Sequence, residues 1–284
     1  MRYMSLSMQE INPLLPQTQT PASLQVLLRE NSPRIGTGEN MRRPVVITLP
    51  GGGYAFTSER EADPIALPFL NAGFQSLTLY YSCAPDRYPT ALLEVAATIA
   101  WVRRNADELH ADPDNIYICG FSAGGHLAAS SGILWNEPCI AETLGIDNRL
   151  ARPDGMILCY PVILYGPDSH RGSFENLLGS GLPDEEYAKL SLEKRVDDTT
   201  PPAFLWHTWE DGSVPVENSL KLAGALRAHR IPFELHVYPY GGHGLSVANE
   251  QSSAVDQDSI RDPHVATWMN LCIDWIKLQS NLIK

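Results

Sequence analysis

The sequence predicts an α/β fold in which a mostly parallel central sheet is flanked by helices. Three observations carry that prediction. The run Ile116-Tyr117-Ile118-Cys119 leads into Gly120-Phe121-Ser122-Ala123-Gly124-Gly125-His126 and the small-residue run Leu127-Ala128-Ala129-Ser130, which reads as strand, sharp turn and helix. The β-branched run Pro44-Val45-Val46-Ile47-Thr48-Leu49 has the continuous apolar character of a strand covered on both faces, and it ends in Pro50-Gly51-Gly52-Gly53-Tyr54. Strand-like and helix-like patterns alternate along the rest of the chain, without internal repeats or low-complexity tracts.

Taken in order, a loosely patterned, proline-containing start gives way to Leu24-Gln25-Val26-Leu27-Leu28, an early strand, and then to the strand that ends at Leu49. Residues 91–105 place Leu92, Val95, Ala96, Ile99, Ala100 and Val102 at helical spacing, and Asp86-Arg87-Tyr88-Pro89 forms the entry turn. Residues 155–162 read as a second buried strand after the one ending at Phe121. Ala203-Phe204-Leu205-Trp206-His207-Thr208 and Phe233-Glu234-Leu235-His236-Val237-Tyr238 read as two more, with a helix over 216–229 between them. An amphipathic helix over 265–278 closes the chain. The segment 163–198, rich in Gly, Ser, Asp and Glu, breaks the alternation and reads as a small polar cap inserted between core strands. The 284 residues are expected to form one domain.

Composition bounds the function. A formal net charge of −12 disfavours nucleic acid as a partner, because phosphate binding relies on Lys and Arg displacing counterions. The five cysteines, Cys83, Cys119, Cys139, Cys159 and Cys272, are scattered and match neither a disulfide framework nor a C-x-x-C metal pattern. Residues 1–21 hold no apolar core of signal-peptide length, and no run approaches membrane-spanning length. A cytoplasmic protein with no membrane partner is the expectation, and a homo-oligomer is compatible with it.

The chemistry sits in three loops. Gly120-Phe121-Ser122-Ala123-Gly124 is a G-x-S-x-G elbow, in which a strained turn lifts a serine hydroxyl clear of the sheet. Glycines are needed on either side of Ser122 because strand and helix backbones approach too closely there for side chains. A nucleophilic serine requires a base, and the base requires a carboxylate to fix its tautomer. Among the eight histidines, His243 is the candidate base, since it lies on the glycine-flanked loop after residue 238. His207 and His236 fall inside strand patterns and read as structural, and His126 packs on the helix behind the serine. For the acid, Asp211 in the tight turn Asp211-Gly212-Ser213-Val214-Pro215 is chosen, with Glu210 as the alternative. The backbone N–H groups of Gly52, Gly53 and Ala123 are the candidate oxyanion donors.

The segments 49–54, Tyr80-Tyr81-Ser82-Cys83-Ala84-Pro85, 112–128 and 201–215 resemble the α/β-hydrolase esterases. More narrowly, they resemble small bacterial acetyl esterases related to hormone-sensitive lipase and to carbohydrate esterases of the acetylxylan-esterase kind. The resemblance runs from about residue 40 to residue 280. It implies an α/β-hydrolase fold and a serine carboxylic-ester hydrolase using Ser122, Asp211 and His243. Pro50 stands where many relatives have His, which leaves the loop's backbone donors intact. Phe121 stands where the hormone-sensitive-lipase group usually has Asp, which favours the smaller carbohydrate-esterase branch.

The cap carries Asp168, His170, Arg171, Glu175, Asp184, Glu185 and Glu186 rather than an apolar face. The expected substrate is therefore a small, water-soluble ester with a short acyl group. Tyr54, Phe56, Tyr165 and Trp209 lie beside the catalytic loops, where they either stack on a sugar ring or simply pack around the pocket. Neither H-E-x-x-H nor a phosphate-binding loop is present, so no metal or organic cofactor is called for. A serine peptidase of the same fold and a non-catalytic binding protein on this scaffold are the alternatives.

Overall fold

The structure, a computed structural model, describes residues 1–34, 40–253 and 261–282. Its strands are β1 (Arg2–Ser7), β2 (Ser23–Leu28), β3 (Arg43–Leu49), β4 (Gln75–Tyr80), β5 (Ala111–Phe121), β6 (Gly155–Cys159), β7 (Ala203–Thr208) and β8 (Phe233–Tyr238). They form one sheet in the order β1-β2-β4-β3-β5-β6-β7-β8. The β1–β2 and β2–β4 ladders are antiparallel, and every ladder from β4 to β8 is parallel. The helices are α1 (Met8–Ile11), α2 (Asp63–Asn71), α3 (Thr90–Arg104), α4 (Ala123–Ile133), α5 (Pro138–Leu144), α6 (Arg171–Leu178), α7 (Asp184–Ala188), α8 (Glu217–Ala228) and α9 (Trp268–Gln279). This is the α/β-hydrolase fold.

Side chains alternate across each strand, so the buried runs divide between two cores. Val45, Ile47 and Leu49, with Ile116, Ile118, Met156, Leu158 and Leu205, face α3, α4 and α8. Val46, Tyr117, Cys119, Ile157, Cys159, Phe204 and Trp206 point the other way, onto α2 and α9. Trp206 stacks on Trp268 of α9 with ring centroids 5.2 Å apart. Each such aliphatic or aromatic side chain contributes roughly 1.5–3 kcal/mol by leaving water.

Parallel strands end on one edge, and here that edge gathers the loops after β3, β5, β6, β7 and β8. The expected strands and helices are present with shifts at their ends. The strand expected over 155–162 stops at Cys159, because Tyr160 turns the chain with φ 38° and Val162 N–H donates instead to the Ser122 carbonyl. The closing helix begins with a 3-10 turn, Val265–Thr267, before α9. The loosely patterned start contains β1, an edge strand whose side chains are only half-buried on its inner face. The cap segment 163–198 carries α6, α7 and the 3-10 turn Leu192–Lys194, and buries Phe174, Leu177 and Tyr187 in the core shared with α4.

Candidate active site

Ser122 sits between β5 and α4 with φ 52° and ψ −117°, a region that a residue with a Cβ rarely occupies. Three backbone bonds hold it there: its N–H donates to Cys159 O (3.0 Å), and its carbonyl accepts from Val162 N (3.0 Å) and His126 N (3.1 Å). A side chain at Gly120 would overlap the Gly124 carbonyl, and one at Gly124 would overlap the carbonyls of Leu49 and Pro50. The elbow is thus wedged against the end of β3 by main chain alone.

The Ser122 hydroxyl lies 2.8 Å from His243 Nε2, and His243 Nδ1 lies 2.6 Å from Asp211 Oδ2. Asp211 Oδ1 accepts from Ser213 N (3.0 Å) and Val214 N (2.9 Å), so the tight turn read in the sequence orients the carboxylate. The arrangement is satisfied with the hydroxyl donating to Nε2 and Nδ1–H donating to the carboxylate. Asp211 is 5% exposed and Ser122 8%, while His243 is half-buried and reaches the solvent side. Glu210 turns away, accepting from Gly241 N (3.3 Å). Burial alone would raise the Asp211 carboxyl, but hydrogen bonds from His207 and His243, the His243 charge and Val214 N–H bring it well below the usual carboxylate range.

The loop after β3 takes left-handed conformations at Gly53 (φ 64°) and Tyr54 (φ 59°). It is tied by Ser58 N donating to Gly51 O (2.9 Å) and Ala55 N donating to Gly52 O (3.0 Å). Among the described residues, no protein acceptor takes the N–H groups of Gly52, Gly53 or Ala123. A cleft of about 440 Å³ opens over them, lined by Gly52, Gly53, Phe56, Ser122, His170 and His243 among others. The cap reaches this cleft through His170 and Asn176, whose Nδ2 donates to Gly53 O (2.9 Å).

Of the four aromatics beside these loops, Tyr54, Phe56, Tyr165 and Trp209, only Phe56 is among the residues that line the cleft. Phe56 lines the cleft and is 62% exposed. Tyr54 points inward at 2% exposure, its hydroxyl 2.9 Å from His126 Nδ1. Tyr165 stacks on Tyr187 and donates to Asp184, and Trp209, 66% exposed, stands outside the cleft. Such aromatics follow the packing of their own loops, which spacing does not reveal. The cleft's further residues, Ser58, Arg60, Glu61, Asn176 and Ser213, were not singled out in the sequence; their positions depend on side-chain direction after a turn.

The histidines of α4, β7 and β8 behave as structural groups. His126 is buried and pushed down to about 4 by burial, partly offset by its bond to the Leu190 carbonyl, so it is neutral. His207 Nδ1 lies 2.8 Å from Ser219 Oγ, and its Nε2 lies 2.8 Å from Val214 O and 3.4 Å from Asp211 Oδ2. His236 pairs with Glu234 at 2.7 Å. Among the described residues, no helix is long and apolar enough to cross a membrane.

Residues 35–226 match the family model described as BD-FAE. The chain belongs to that family. A solved acetyl ester-xyloside bifunctional hydrolase from Caldicellulosiruptor lactoaceticus is 33% identical with a TM-score of 0.81, covering 99% of this chain and 97% of that one. The carboxylesterase Cest-2923 from Lactobacillus plantarum WCFS1 is 28% identical with a TM-score of 0.84, covering 100% of both chains. The endo-1,4-beta-xylanase B of Butyrivibrio fibrisolvens is 38% identical over 222 residues, 75% of this chain and 34% of that protein. The chain spans about a third to a half of the length of the curated relatives it matches.

Proposed function

We propose that this protein is a serine esterase that hydrolyses short-acyl esters, acetyl esters of sugars or xylo-oligosaccharides foremost, through an acyl-enzyme on Ser122. The observation that carries the reading is the hydrogen-bonded series Ser122–His243–Asp211 opening onto the same cleft as three unengaged N–H groups. His243 takes the Ser122 proton as the hydroxyl attacks the ester carbonyl, and Asp211 holds the imidazole and stabilises its cationic form. Gly52, Gly53 and Ala123 donate to the oxyanion. The alcohol leaves with the proton from His243, and water repeats the sequence to release the acid.

Two features support a short acyl group on a polar alcohol. The space between Tyr54, His126, Val162, Phe174 and Leu177, behind the oxyanion loop and under the cap, is too tight to admit a water molecule. The cap residues that line the cleft, His170 and Asn176, are polar, and the same segment carries the charged Asp168, Arg171 and Glu175. The sugar half of the reading is supported by the relatives that bear xylanase and acetyl ester-xyloside hydrolase names.

The test is hydrolysis of 4-nitrophenyl acetate and of acetylated xylo-oligosaccharides by wild type and Ser122→Ala. Serine-dependent release of acetate from both is expected, with at least a 10³-fold loss in the variant. Turnover of the nitrophenyl ester alone removes the sugar assignment, and turnover that survives Ser122→Ala removes the mechanism.

A further inference from the structure

Directly after the oxyanion loop, the 3-10 turn Glu59–Glu61 carries a buried glutamate that the mechanism above does not use. Glu61 is 5% exposed, yet both carboxylate oxygens are engaged. Oε2 accepts from Gly51 N (2.7 Å), the first glycine of the oxyanion loop, and Oε1 accepts from Tyr160 Oη (2.5 Å). Tyr160 packs edge-on against the His243 ring, centroids 5.1 Å apart. The same hydroxyl accepts from Ser246 N (3.0 Å), three residues beyond His243. Arg60 completes the bracket: its guanidinium donates to Gly244 O and Ser252 O at 2.6 Å each, and its carbonyl accepts from Ser246 Oγ at 2.6 Å.

The direction of these bonds sets the charge state. Gly51 N–H can only donate. The Tyr160 hydroxyl accepts from Ser246 N–H and donates its single proton to Glu61 Oε1. A carboxyl receiving donors on both oxygens is best matched as the carboxylate, since a protonated one would point an O–H at a donor. Burial holds the Glu61 carboxyl above its ordinary value on balance, and the Tyr160 and Gly51 bonds and the charges of His243 and Arg60 offset part of that rise, so the case for the carboxylate rests on the donors that face both of its oxygens.

We propose that Glu61 is a positioning residue for ester hydrolysis: its ionised carboxylate clamps the oxyanion loop to the His243 loop through Tyr160 and adds a second negative charge, beside Asp211, that favours the imidazolium of His243. The proposal rests on the esterase reading for its substrate. The groups facing His243 are Asp211 after β7, Ser122 at the elbow, Tyr160 after β6, His170 from the cap, and Glu61 with Arg60 after β3. Glu61 is therefore the second carboxylate in that set. Preorganised charge near a developing cation acts on the transition state more than on substrate binding, so the effect belongs in kcat.

The experiment compares wild type, Glu61→Gln and Tyr160→Phe in the full chain with 4-nitrophenyl acetate from pH 5 to pH 9. Glu61→Gln is expected to lower kcat about 10-fold with KM within twofold, and to move the acid limb of kcat/KM to lower pH by about half a unit or more. Tyr160→Phe removes the bridge but keeps the carboxylate, so kcat falls several-fold and the acid limb stays. A Glu61→Gln acid limb coincident with wild type overturns the charge role, as does an equal displacement in Tyr160→Phe. Unchanged kcat in Tyr160→Phe overturns the clamp, and this arm stands even if Glu61→Gln fails to fold by circular dichroism. If wild type shows no serine-dependent turnover, the esterase reading fails separately. The coupling is then read from the pH titration of the His243 ring resonances by NMR in wild type and Glu61→Gln, where coincident titrations overturn it.

Discussion

Asp211 in the loop after β7 and Glu94 in the second turn of α3 are both buried carboxyls, and the fold treats them in opposite ways. Burial raises each. At Asp211 that rise is overcome by His207, His243 and the N–H groups of Ser213 and Val214, all aimed at its two oxygens. At Glu94 burial wins and pushes the carboxyl up to about 7, with bonds from the Ser82 hydroxyl and N–H offsetting it only in part and Asp86 adding repulsion. The hydrogen bonds agree. The Ser82 hydroxyl has one proton and two acceptors, Glu94 Oε1 at 2.6 Å and Thr20 O at 3.0 Å, a conflict that a protonated Glu94 resolves by donating to Ser82. Four donors converge on Asp211 and two on Glu94, and the turn after β7, with its consecutive N–H groups of Ser213 and Val214, supplies the difference.

The largest effect should come from removing the charge at the site. Asp211→Asn is expected to lower kcat on 4-nitrophenyl acetate about 10⁴-fold, through loss of the correct His243 tautomer; a loss under tenfold would break the comparison, because the donors would then be serving structure alone. The same variant carries a stability signature. A depressed carboxyl stabilises the fold above its ordinary range and ceases to do so as pH falls below it. The urea-unfolding difference between wild type and Asp211→Asn should therefore shrink below about pH 4. Glu94→Gln should do the reverse and leave kcat within twofold. With a folded value near 7 against an ordinary 4.5, the wild-type fold loses stability as pH rises through that window and then levels off. Glu94→Gln removes the fall, for a gain on the order of 2–3 kcal/mol at pH 8 and much less at pH 5. Equal gains at both values would mean that Glu94 is ionised after all.

The sequence displayed the scaffold where periodicity was strong and the candidate site residues where glycine marked a turn. Ser122, Asp211 and His243, each placed on a loop after a strand, come together in one cleft, because parallel strands deliver their ends to one edge. Glu61 stayed illegible. It lies in a short, charged stretch that looks solvated, and only the turn of three residues after the oxyanion loop brings it under Gly51. The direction of Tyr54 was illegible for a related reason: standing next to Gly53 says nothing about which way the ring turns, and here the residue takes φ 59° with its hydroxyl inward on His126. β1 was missed because an edge strand covered on one side lacks the continuous apolar run that gave away β3.

The contact of Gly124 with the carbonyls of Leu49 and Pro50 leaves no room for any side chain, so the N–H of Ala123 and those of Gly52 and Gly53 are held in register by main chain against main chain. For protein engineering this divides the molecule. Residues 120 and 124 admit no alternative amino acid, whereas the Phe56 side chain is exposed in the cleft and open to substitution; the cap over 163–198 stands between the two, because Asn176 bonds Gly53 O and Phe174, Leu177 and Tyr187 lie in the core. A library confined to position 56 would vary the wall of the cleft and leave that main-chain packing unaltered.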